Sequence, residues 1–167
     1  MKAGKQVVDF ENLRKTVVKG LKDYLKCPVI RGNQAAEQPP YPYVSYTITT
    51  PISENKGTYG EYADGVARKA GTQTWSSTVQ SNDNAESLTL ANKARDWLDY
   101  VGTVYLNDNG VSVRSVTSVT NRDNFITVDY QYRNGFDVFF ACFDEIGEAV
   151  NVEDIDSVSI NNIGVER

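Results

Sequence analysis

The sequence predicts an α+β domain: a mainly antiparallel sheet with two helices packed on one face. Three observations carry this. Apolar residues recur at helical spacing in two stretches, Phe10, Leu13, Val17, Leu21 and Tyr24, and then Leu90, Ala94, Trp97, Leu98 and Val101. Segments rich in β-formers alternate with period two at Tyr43–Ile52, Thr72–Gln80 and Val111–Thr120. A helix with one apolar stripe must bury it, and the surface on offer is a sheet containing the strand that precedes the second helix. Residues 1–143 form this domain, with an extended loop or hairpin insertion over 54–71 and an acidic C-terminal arm over 144–167.

The first helix spans Phe10–Leu25, with Asp9 as N-cap and Leu25 beside the stripe. Lys19, Lys22 and Lys26 crowd its C-terminal end, where cations suit the helix dipole, and Pro28 stops it. A solvated face explains these lysines better than a phosphate site does. Pro28–Arg31 reads as a short strand and Gly32–Pro40 as a loop. Pro39, Pro40 and Pro42 then lead an extended chain to an edge position. In the strand Tyr43–Ile52, Tyr43, Ser45, Thr47 and Thr49 share one side, and Val44, Tyr46, Ile48 and Thr50 the other.

Ser53–Gly71 lies between two strands and holds four glycines, two tyrosines and mixed charges. It reads either as a floppy hairpin tip or as an arm that orders against a neighbouring subunit. A loop of this length without structure of its own is uncommon, which favours the arm, with tyrosines as anchors. The strand Thr72–Gln80 follows, with Trp75, Ser77 and Val79 on one face. Asp83 and Glu86 have capping-box spacing at the start of the second helix, which Leu88 and Ala91 flank, and Gly102 supplies a left-handed residue to end it.

Thr103–Leu106 is a short apolar piece before the turn Asn107–Gly110. Val111–Thr120 is a strand, Asn121–Asn124 a turn, and Phe125–Tyr132 a further strand with Ile126, Val128, Tyr130 and Tyr132 on one face. Asn134-Gly135 is a hairpin-type dipeptide whose flanks also permit a bulge. Phe136–Phe143 is apolar on both sides, as in a strand buried on both faces or set in a subunit interface. From Asp144 the chain turns acidic. Val158, Ile160, Ile163 and Val165 mark a last strand or arm, disordered alone or ordered by a partner.

The 167 residues suffice for one domain with a sizeable core, and 40% hydrophobic with 23% charged residues is ordinary globular composition. A net charge of −5 argues against a broad basic face that grips nucleic acid, though not against DNA passing by. No apolar run is long enough to span a bilayer, and the N-terminus lacks the apolar centre of a signal peptide. The chain is therefore expected to be made, and kept or assembled, in a cytoplasm. Cys27 and Cys142, far apart, are expected to be two buried small apolar residues and not a disulfide.

Histidine is absent, which removes the usual general base, every Ser-His-Asp or Cys-His arrangement, and the commonest zinc ligand. No glycine-rich phosphate loop and no Gly-x-Ser-x-Gly is present. Glu153, Asp154 and Asp156 lack the glycine and distal glutamate of a calcium loop and read as a solvated acidic run. Asp96 and Asp99, beside Lys93 and Arg95, read as surface charge, and Trp75 and Trp97 as packing between strand and helix. The sequence thus predicts no enzyme, no cofactor and no metal.

The run TQTWSSTVQSNDNAESLTLANKARDWLDYVG, with VTSVTNRDNFITVDYQYRNGFDVFF and PYPYVSYTITTP, resembles a family of tailed-phage neck proteins found in phages and defective prophages of Gram-positive bacteria. The resemblance covers Phe10 to Phe143. The order of elements is similar to that of tail terminators, α+β subunits of a six-membered ring. That resemblance implies a structural virion protein whose ring caps the head-proximal end of the tail tube and stops its growth. It implies further copies of this chain, the tail tube protein, the head-completion or connector protein, and the sheath in a contractile tail as partners, with DNA only passing through the lumen and no membrane. Ring contacts in such a family come from loops and arms. By position this makes Glu54, Lys56, Tyr59, Glu61, Tyr62, Arg68 and Lys69 of the insertion, and Glu153, Asp154 and Asp156 of the tail, the expected interface residues. The alternatives are a head-completion or connector-adaptor protein of the same neck or, in a different class, a small cytoplasmic binding module.

Overall fold

A computed structural model describes residues 9–33, 37–61, 66–123 and 131–148, with the backbone alone described over 54–61, 66–68 and 144–148. Helix α1, Phe10–Leu25, starts at Asp9, whose side chain accepts from the Asn12 N–H at 2.9 Å. Leu13, Val17, Leu21 and Leu25 are buried, whereas Tyr24 sits at the rim, 42% exposed. Lys26 takes the left-handed conformation (φ 58°) and returns its N–H to the Lys22 carbonyl, closing the helix before Pro28.

Strand β1, Val29–Arg31, runs parallel to β2, Tyr43–Glu61; β2 pairs antiparallel with β3, Val66–Ser81. Helix α2, Asn84–Asp96, continues through a single π-helical turn, Trp97–Val101, and across Gly102 into α3, Thr103–Asp108. Strands β4, Ser112–Val116, and β5, Thr120–Asn121, both pair with β6, Tyr132–Glu148. Among the described residues the six strands form one sheet of order β1-β2-β3-β6-β4, with β5 also on β6. The α+β reading therefore holds, with a mixed sheet and a third short helix.

The sheet has two unlike faces. Val44, Tyr46, Trp75, Val79, Phe136, Val138 and Phe140 share one core with Leu13, Val17 and Leu21 of α1 and with Ala91, Ala94, Trp97 and Leu98 of the second helical segment. Tyr46 stacks on Trp75 at 4.6 Å, and Phe140 meets Trp75 edge-on at 5.1 Å. Such pairs contribute about 0.5–1.5 kcal/mol each beyond area burial. The other face carries Ser45, Thr47, Thr49, Thr74, Ser76 and Thr78, and there Arg122 donates to Ser76 Oγ at 2.6 Å and to Asp137 Oδ1 at 2.9 Å.

Several local expectations change. Gly102 is not left-handed (φ −87°); the chain reverses instead at Gly110 (φ 74°), after Asn107 and Asp108 have completed α3. A β-carbon on Gly102, or on Gly20 of α1, would overlap the Trp97 ring, so the two glycines make room for that side chain. Val101 is 54% exposed, because the π turn inserts one residue and rotates the end of the segment off the buried stripe. Leu106 of α3 takes the core position instead. Trp97 packs chiefly between helices, beside Tyr24 at 6.4 Å and Tyr105 at 6.1 Å.

Val111–Thr120 is not one strand but is broken over 117–119 into β4 and β5. Asn134-Gly135 makes no hairpin. It lies mid-strand in β6, where Asn134 bonds Ser87 Oγ at 3.1 Å and a β-carbon on Gly135 would strike the Ser77 carbonyl. Of the strand expected over Phe125–Tyr132, residues 125–130 lie outside the described residues, as does the apolar segment Val158–Val165.

Candidate assembly interface

The insertion expected over 54–71 is a continuation of the sheet. β2 runs on to Glu61 and β3 begins at Val66, with Glu54 opposite Gly71, Tyr59 opposite Lys69, Gly60 opposite Arg68 and Glu61 opposite Ala67. A bulge separates Glu54 from Tyr59, where Lys56 and Gly57 sit. A third strand joins this hairpin. β6 continues past Phe143 to Glu148, setting Asp144 opposite Lys69 and Glu145 opposite Arg68. The start of the acidic segment is thus part of the sheet, which the expectation of an arm beginning at Asp144 missed.

The result is a three-stranded arm. At its base Gln73, 1% exposed, donates to the Pro51 carbonyl at 3.1 Å and accepts from the Trp75 indole N–H at 2.7 Å. Among the described residues, β1 covers the outer side of β2 only over Val44–Tyr46, and β4 covers β6 only as far as Ala141. Both outer edges of the arm therefore present backbone donors and acceptors that the described residues do not pair. Such edges recruit another strand unless they are blunted. Pro51 and the three irregularities in β2 interrupt one edge and limit how long a strand can add there.

Of the expected interface residues, Glu54, Lys56, Tyr59, Glu61, Arg68 and Lys69 are brought together on this arm by backbone register. Tyr62, Glu153, Asp154 and Asp156 lie outside the described residues. Outside the arm, the helical layer exposes Tyr100, Val101 and Val104. Sequence spacing missed this patch because it counted Val101 into the core.

The remaining chemistry is structural. Asp83 caps α2 by accepting from the Ala85 N–H at 3.0 Å. Glu86 does not close a capping box with Asp83 but accepts from Ser81 Oγ at 2.5 Å, and Ser81 Oγ itself accepts from the Asp83 N–H at 3.0 Å. Arg95 pairs with Asp96 at 3.1 Å and Asp99 at 3.6 Å on the surface, as expected of solvated charge. Cys27 and Cys142 are free and buried, and burial pushes both thiols up, away from the reactive thiolate. Among the described residues no cluster of His, Cys, Asp and Glu is arranged to hold a metal ion, and no helix is long and apolar enough to cross a membrane.

Two comparisons bear on the whole chain. The family model described as phage neck terminator protein matches residues 15–166, running through the acidic segment well past Phe143. No curated protein matches the chain.

Proposed function

The chain belongs to the phage neck terminator protein family, a structural family of the virion neck, and on that premise we propose that it is the tail terminator itself. Six copies close into a ring on the head-proximal end of the tail tube. The ring stops tube polymerisation and offers its other face to the head-completion or connector protein. In a contractile tail it also holds the last sheath ring. DNA passes through the lumen without specific contact, and assembly takes place in the host cytoplasm.

The observation that supports this reading most is the arm. A monomer gains little from extending three strands past β1 and β4, with both edges open among the described residues. A ring-former gains a great deal, because an edge strand supplies main-chain hydrogen bonds and register at once. A tube that grows by adding subunits to an exposed end stops when a closed ring covers that end. Glu54, Lys56, Tyr59, Glu61, Tyr62, Arg68 and Lys69, with Glu153, Asp154 and Asp156, are the residues we assign to these contacts.

The test is a null allele in a phage or prophage that encodes the chain, followed by electron microscopy of the lysate. A terminator null leaves filled heads without tails and tail tubes of uncontrolled length. Tails of normal, uniform length that fail to join heads would assign the protein to head completion instead.

A further inference from the structure

The helical layer carries a knob and a groove at opposite ends of one rod. The rod is α2 and its π turn, Asn84–Val101. At its C-terminal end Tyr100, Val101 and Val104 stand out of the surface, 84%, 54% and 72% exposed. Carboxylates at Asp99 and Asp108 flank them in the chain. At its N-terminal end a groove of about 580 Å³ opens between α1, the proline-rich approach to β2 and the first turns of α2. Leu25, Pro28, Pro40, Pro42 and Leu90 form its apolar wall, and Lys26 and Lys93 stand at its rim. Among the described residues neither lysine takes part in an ion pair, whereas Asp83 and Glu86, which also line the groove, are engaged in hydrogen bonds at the helix start.

We propose that the Tyr100–Val104 knob of one copy seats in the Leu25–Leu90 groove of the next. Groove and knob lie roughly 20 Å apart along the rod, at 1.5 Å per residue, so the knob cannot reach the groove of its own chain. The occupant is a second copy because both halves of the contact are on this molecule and match in kind. Apolar surface meets apolar surface, and the groove lysines meet Asp108 beside the knob, Asp99 being held by Arg95 at 3.6 Å. The contact is heterologous: each copy gives a knob and receives one, so repetition closes a ring or runs on as a filament. Three side chains fall short of the roughly 800 Å² per partner of a stable interface. The knob is therefore the anchor, and the arms supply the remaining area. Closure of the contact into a ring rests on the terminator reading, but the contact itself does not.

The experiment is disulfide trapping in the full-length chain carrying Val104→Cys and Thr89→Cys, the latter on the groove wall. Mild oxidation should give a ladder of covalent multimers that reductant collapses. In parallel, Tyr100→Asp with Val104→Asp, both at exposed positions, should leave the monomer folded by circular dichroism and weaken self-association at least about tenfold, as for an anchor residue. A ladder without a closed ring would retain the contact and reject the ring. Intact rings with no ladder and no effect of the double aspartate variant would overturn the knob and groove, leaving the ring to other surfaces and the groove to another neck protein. The absence of both ladder and ring would overturn both.

Discussion

Trp97 is where single residues decide most about this molecule. Its indole lies between α1 and the segment leading to α3, and it fits because Gly20 and Gly102 carry no β-carbon. Sequence spacing located the tryptophan in the buried stripe but gave Gly102 the wrong task, since a glycine after a helix reads first as a left-handed stop. Its observed φ of −87° needs no glycine, so the constraint is steric and comes from a side chain one helical turn earlier. Gly102→Ala is expected to cost about 1–3 kcal/mol, the usual range for overpacking a core. At roughly 2–4 °C per kcal/mol for a chain of this size, thermal unfolding should shift down by several degrees. An unchanged melting temperature would show that the ring of Trp97 has room to move.

At the scale of elements, the periodic signals were legible and the punctuation was not. α1, the start of β2, most of β3 and α2 were readable because each buries one face, and burial imposes the 3.6- or 2-residue period. Asn134-Gly135 misled because turn propensity is local. In β6 the pair is held straight by ladders to β3 on one side and β5 on the other, with the asparagine amide bonded into α2. The arm was only half legible: Glu54–Gly71 announced itself as an insertion, but nothing in its glycines and mixed charges gave the register or the third strand. That register is set by β6, which lies far along the chain and leaves no local signal in the insertion. Replacing residues 55–70 by an Asn-Gly turn between the paired Glu54 and Gly71 removes the tip without touching Trp75 or the helix-covered core. The shortened chain should unfold cooperatively within a few degrees of the full-length protein, while self-association drops below detection in sedimentation velocity. Undiminished assembly would take the arm out of the interface.

On the scale of the whole molecule, the two sheet faces divide the labour. One is committed to the core under the helices; the other is lined with hydroxyls and stitched by Arg122 and Asp137. The arm edges and the helical knob and groove are further surfaces left open among the described residues. The residues proposed for the interface rest on their position in the chain alone, because a contact between copies would leave no periodic trace in one copy's sequence. Membership of the neck terminator family points to a structural role in the virion neck, and the arm edges that the described residues leave unpaired fit assembly there. The central claim is that copies of this chain close on themselves. Native mass spectrometry of the purified full-length protein, with electron microscopy of the same sample, tests it most directly. The account predicts one discrete closed oligomer, six chains around an open lumen, whereas a monomer that persists as concentration rises, or an open-ended series of filaments, would contradict it.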